Sequence, residues 1–185
     1  MATDPYLYSD LFGSYENAVR VLPYLFKRDK GMFRRSAYYL AVCDDGIVGI
    51  AALFKAGNEW NTADVRAAFF EAGVALPESF EEVCRYFVRV HNYNDDTKAC
   101  NICVREDMRG KGIGGKLVDF MIKAAGNSDI RLGVLVSNTA AVRLYRSRGF
   151  EILYEIDDYG GYKKPAVKVY EMIRLYDKAY SDNRQ

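Results

Sequence analysis

The stretch Val104-Arg105-Glu106-Asp107-Met108-Arg109-Gly110-Lys111-Gly112-Ile113-Gly114-Gly115 concentrates residue types that can do chemistry. An apolar run enters a glycine-rich turn, and the turn opens into a residue pattern of helical period. Glycines let a backbone approach a ligand closely and adopt positive φ. The first N–H groups of a helix lack partners within it, and the helix dipole adds partial positive charge. Together these make an anion site. Arg109 and Lys111 add charge for a phosphate, so a pyrophosphate-bearing ligand is the natural guest. Two other phosphate loops fit worse. A Walker A loop needs Ser or Thr after its lysine, and Lys116 is followed by Leu117. A dinucleotide loop is matched loosely by Gly110, Gly112 and Gly115, but Val136 leads into Ser137-Asn138 instead of an acidic residue.

Other reactive side chains narrow the choice further. His91 is the single histidine, so a zinc site with two or three His ligands is excluded, and no metal is expected. A nucleophile–histidine triad would have to use His91. Cys100 and Cys103 show C-x-x-C spacing. Residues three apart in a regular strand point to opposite faces, so these two are not expected to pair, and with Cys43 and Cys84 they are expected as free buried thiols. The 15 tyrosines offer proton donors, stacking surfaces or core filling.

These residues need elements to position them. The chain has 185 residues, 50% hydrophobic and 28% charged, the profile of one globular domain. Its net charge of +1 lacks the basic excess of a nucleic-acid module. No 18-residue apolar run or signal peptide is visible, so a cytoplasmic protein without a membrane segment is expected. Ser14 caps a short helix through Arg20, and Pro23 opens a second piece to Asp29. Ala37–Cys43 and Ile47–Lys55 flank Asp44-Asp45-Gly46 as a hairpin. Residues 56–97 read as a two-helix insert, with helices over 63–72 and from Pro77. A strand follows over 98–104, then the glycine turn and a helix ending at Gly126-Asn127. Ile130–Val136 is a strand, and Asn138 or Thr139 caps a helix through Arg148. Gly149 stands where a left-handed residue closes a helix. Phe150–Ile156 and Val167–Leu175 are closing strands joined by the Gly160-Gly161 loop. The fold class is α/β with a mixed sheet.

Downstream of the glycine turn lies Asn138-Thr139-Ala140-Ala141-Val142-Arg143-Leu144-Tyr145-Arg146-Ser147-Arg148-Gly149-Phe150. This run is similar to the second signature of the GNAT N-acetyltransferase superfamily. The turn from Arg109 to Gly114 resembles that family's acetyl-coenzyme A motif. Both signatures stand in the family's order and at its usual separation. The resemblance covers most of the chain and implies a GNAT-like sheet, mostly antiparallel, with splayed central strands flanked by helices. It places a first strand at Tyr6–Tyr8 and the helical insert, residues 56–97, between strands three and four, where the family has a short turn. Glu106 stands where the family often has Pro.

The resemblance implies direct attack of an amine on acetyl-CoA in a ternary complex. Cofactor-binding residues would be Cys103, Val104, Arg109, Gly110, Lys111, Gly112, Ile113, Gly114, Gly115 and Asn138. Backbone groups of the turn would hold the pyrophosphate, and the strand edge at Cys103 and Val104 would pair with the pantetheine amides. Tyr145 would be the general acid for the leaving thiolate. An alkyl ammonium of pKa near 10.4 is neutral only about once in 2,500 molecules at pH 7, so a base is useful. Glu59, Glu106, Asp107 and His91 are the candidates, and the sequence selects none of them. Trp60, Tyr86 and Tyr93 are candidates for the acceptor wall, since aromatics with carboxylates receive cations. The expected acceptor is a small-molecule primary amine, and the expected assembly a monomer or homodimer. A peptide N-acetyltransferase and a non-catalytic CoA-binding module are the other readings.

Overall fold

A computed structural model describes residues 5–44, 46–55, 60–91, 97–159 and 167–176. Its elements run α1 (Pro5–Phe12), α2 (Tyr15–Arg28), β1 (Tyr38–Cys43), β2 (Gly46–Phe54), α3 (Thr62–Glu71), α4 (Phe80–His91), β3 (Thr97–Val104), α5 (Ile113–Ala125), β4 (Ile130–Leu135), α6 (Thr139–Arg146), β5 (Glu151–Tyr159) and β6 (Val167–Arg174). Six strands form one sheet in the order β1-β2-β3-β4-β6-β5, antiparallel throughout except for β3 against β4. This is the expected α/β class with a mostly antiparallel sheet.

Three local expectations change. Tyr6–Tyr8 lies in helix α1, so the expected first strand is absent there. Pro5 is the first residue of that helix, where its fixed φ fits and its missing N–H costs nothing. The strands that the family counts as three and four are therefore β2 and β3. Second, α2 is one continuous helix with Pro23 inside it. Ser14 caps it as expected, accepting from the Asn17 N–H at 3.1 Å. Buried Val21 and Leu25 anchor the helix on both sides of the proline. Third, α4 begins at Phe80 instead of Pro77, after a turn in which the Phe80 N–H donates to the Pro77 carbonyl.

The sheet separates two cores. Alternate residues of β2 show this: Ala52 and Phe54 face one cluster, Ala51 and Leu53 the other. The first cluster gathers α1 to α4 around Phe12, Leu25, Phe69, Phe80 and Phe87. The second packs α5 and α6 through Leu117, Val118, Met121 and Tyr145. The insert helices are built into the first core. Phe12 stacks on Phe69 at 5.8 Å, and Arg28 pairs with Glu71 at 2.6 Å. Arg20 donates to the carbonyls of Ala72 and Gly73, and Ser79 to that of Asp10.

Candidate active site

The geometry starts from a gap in the sheet. Strand β3 pairs with β4 only at Thr97–Ile130 and Lys98–Arg131. From Ala99 onward β3 stays with β2, while β4 from Leu132 onward stays with β6. The two central strands therefore splay, and each leaves a run of backbone N–H and C=O groups facing the slot. An extended ligand with amide groups can pair there as an added strand would.

β3 is also irregular beside the slot. Ile50 opposes Cys103 and Ala52 opposes Cys100, so three steps on β3 match two on β2. Asn101 sits in this bulge at φ 53°. The bulge overturns the expected alternation. Cys100 and Cys103 oppose residues two apart on β2, which puts both on the face opposite Ala99, Ile102 and Val104. All four cysteines are free thiols, but only Cys84 is fully buried and the other three are partly exposed. Burial pushes the Cys100 thiol up to about 11. Among the described residues, no group of three or more His, Cys, Asp or Glu is placed to hold a metal.

Val104 leads into the glycine turn. Arg105 continues the β2–β3 ladder by donating to the Val48 carbonyl at 2.9 Å. One helical turn, Glu106–Met108, reverses the chain. Gly110 and Gly112 take φ of 75° and 78°, and a methyl group at either would meet nothing within 4 Å. Glycine is needed at these two places for conformation, and the space in front of them is open. Gly112 caps α5 without a side chain, and its carbonyl accepts the first helical bond from Lys116. The N–H groups of Ile113, Gly114 and Gly115 thus have no helical partner. Arg109 is tied to the Val104 carbonyl at 3.3 Å and lies 3.7 Å from Glu106. The Lys111 amine rests 3.3 Å from the Met108 sulfur. Gly115 has a different job, since a methyl group there would press on the Arg148 guanidinium, which pairs with Asp119.

Tyr145 lies in the α5–α6 core. It is 2% exposed on α6, with its ring 5.9 Å from Phe150. Burial drives its phenol pKa upward, and the neighbouring Cys100 adds to the rise. Tyr145 packs in the cluster that also takes Ala99, Ile102 and Val104 of β3. Asn138 caps α6 by accepting from the Ala141 N–H at 3.2 Å.

The remaining expected residues separate. Glu106 is 89% exposed on the turn. Asp107 pairs with Arg105 at 2.7 Å, and those hydrogen bonds hold its carboxyl below the ordinary range. Trp60 is buried, stacks on Phe87 at 4.2 Å and donates to Thr62. Tyr86 is buried in the same cluster. Glu59 and Tyr93 lie outside the described residues. His91 ends α4, and only its backbone is described.

One charged residue emerges that sequence reasoning passed over. Glu171, on β6, is 8% exposed. It sits opposite Gly133 of β4 and Tyr154 of β5, in the part of the sheet where β4 has left β3. A methyl group on Gly133 would lie 3.8 Å from its carboxylate oxygen. Its strand neighbour Met172 points into the α5–α6 core, so Glu171 faces the other side, with Cys100. In sequence it is one charged residue in an alternating strand, which reads as solvent-facing.

Known proteins share this fold. Residues 34–152 match the family model described as the acetyltransferase (GNAT) domain. A solved structure described as an acetyltransferase superposes with a TM-score of 0.67 at 22% identity, covering 94% of this chain and 86% of that one. An N-acetyltransferase from Staphylococcus aureus Mu50 gives 0.55 at 16% identity, covering 80% and 78%. The NatC complex bound to Gag peptide and CoA contains a chain giving 0.53 at 16% identity, covering 91% and 87%. At these identities the likeness is one of fold. No curated relative matches the sequence.

Proposed function

Because this chain belongs to the GNAT acetyltransferase family and is an acetyl-CoA-dependent acetyltransferase, we propose that it moves the acetyl group directly to a primary amine. The observation that carries this reading is the open β3 edge running straight into the unpaired N-terminus of α5. The residues present fit acetyl-CoA. Gly110 and Gly112 leave a clear approach, and the N–H groups of Ile113, Gly114 and Gly115 suit a pyrophosphate. Arg109 and Lys111 supply charge at the same turn. The bulged edge at Cys103 and Val104 would pair with the pantetheine amides. A backbone N–H there would also meet the thioester oxygen as negative charge grows on it, a contribution of about 3 kcal/mol.

Tyr145 would protonate the departing sulfur. Its raised pKa keeps the phenol neutral, so it remains a donor throughout the working pH range. Asn138 already serves as a helix cap, and any contact it makes with the cosubstrate would be additional. The acceptor in our reading is a small amine. A peptide acceptor is the second reading, and one observation favours it. Helices α3 and α4 pack on α1 and α2, which takes the described part of the insert into the core instead of over the slot. The free thiols suit a reducing compartment, and we infer a cytoplasmic setting.

The test is release of free thiol from acetyl-CoA with a panel of small primary amines and peptides bearing free N-termini. Thiol release matched by acetylated amine is expected, with higher kcat/KM for the small amines. Binding of acetyl-CoA without thiol release for any acceptor would contradict the catalytic reading and point to a CoA-binding module.

A further inference from the structure

We propose that Glu171 is the carboxylate that receives the acceptor ammonium and takes its proton. This inference rests on the acetyl-transfer reading above. Three observations place Glu171. It lies on the sheet face away from α5 and α6, the face shared with Cys100 at the bulge. Its partner on β4 is Gly133, within the stretch of that strand that has separated from β3. Its partner on β5 is Tyr154, so an aromatic side chain and a position without a side chain flank the carboxylate. A carboxylate beside an aromatic edge and an open backbone suits a primary ammonium.

Burial gives the residue its force. A carboxylate this sheltered attracts a cation far more strongly than one in water. Other charged or titratable groups reach this face from the adjoining strands: Lys98 and Cys100 on β3, Arg131 on β4 and Tyr154 on β5. Burial, with a smaller contribution from Glu171, raises the Cys100 thiol and keeps it protonated.

The proton and electron balance is complete. Glu171 removes one proton from the ammonium and passes it to solvent. The freed nitrogen lone pair forms the N–C bond. The C–S bond breaks with its electron pair on sulfur, and Tyr145 supplies the proton that makes the thiol. The second proton lost by nitrogen restores the phenol through solvent. One proton is released per acetyl group transferred.

The test compares wild type with Glu171→Gln, using acetyl-CoA with phenethylamine and with a short peptide bearing a free N-terminal amine, at pH 7 and pH 9. Circular dichroism checks the fold. At pH 7 the variant should lose about 100-fold in kcat/KM for the amine, with the KM for acetyl-CoA unchanged within about twofold. At pH 9 more of the amine is already neutral, so the loss should shrink to about tenfold. Equal activity of the two proteins, or the same loss at both pH values, would overturn the role. A second variant works from the neighbouring strand. Gly133→Ala meets only ordinary contacts, the nearest being Val169 at 3.5 Å. It should raise the amine KM several-fold and leave the KM for acetyl-CoA alone. An unchanged amine KM would also overturn the proposal. Wild type inactive with every amine in the wider panel would instead contradict the acetyl-transfer reading itself.

Discussion

At the scale of single residues, the clearest prediction concerns Tyr145. Removing only its hydroxyl keeps the ring in its buried place against Phe150. Tyr145→Phe should therefore fold normally and lose about 100-fold in kcat, with a small change in the KM for acetyl-CoA. Steady-state kinetics checks this, and an unchanged kcat would remove the acid assignment. The raised phenol pKa also sets a sign. The donor form is present at low pH and lost only above the ordinary tyrosine range. The rate should thus rise with pH as the amine loses its proton, and show no decline from Tyr145 before about pH 10. Gly112 gives a second residue-level prediction. Its φ of 78° strains any other residue, although nothing lies within 4 Å. Gly112→Ala should cost about 1–2 kcal/mol of stability and weaken acetyl-CoA binding. Denaturant unfolding and calorimetry measure the two effects separately.

At the scale of elements, the insert is a structural component of the first core. Phe87 is buried and stacks on Trp60. Phe87→Ala should destabilise the protein by about 3–5 kcal/mol, seen as a lower denaturation midpoint. A variant of unchanged stability would mean that α4 does not anchor this layer. The elements that the sequence disclosed best are those written in local signals. The glycine turn before α5, Asn138 before α6 and Gly149 after it each reflect capping chemistry within a few residues. The bulge at Asn101 was not visible, because it depends on register against β2. Glu171 was missed for a related reason. Its burial comes from its partners on β4 and β5, and no pattern within its own strand reports them. Trp60 and Tyr86 carry attractive chemistry for an amine site, yet both side chains serve the core.

At the scale of the molecule, a core shared across the gap explains how a sheet can be opened in its middle and still stand. The α5–α6 core spans the gap, taking Leu53 and Ala99 from one side and Ile130, Leu132 and Met172 from the other. Among the described residues, no helix is long and apolar enough to cross a membrane. The buried titratable groups give a prediction for the whole fold. Cys84 and Cys100 are raised to about 11 by burial, and Tyr38 and Tyr145 are raised above the ordinary phenol range. Each group binds its proton more tightly in the folded state. Their stabilising contribution is therefore full below about pH 9 and declines as pH rises through 9 to 11 and beyond. The melting temperature should fall across that interval, and a flat profile from about pH 8 to 11 would contradict the burial of these groups.

Calorimetric titration of the protein with acetyl-CoA bears most directly on this reading of the site. The glycine turn, the open strand edge and Tyr145 are all taken as parts of one binding slot. One acetyl-CoA should bind saturably per chain, with affinity weakened by Gly112→Ala and largely preserved in Tyr145→Phe. No binding heat, and no competition by CoA at millimolar concentration, would contradict it.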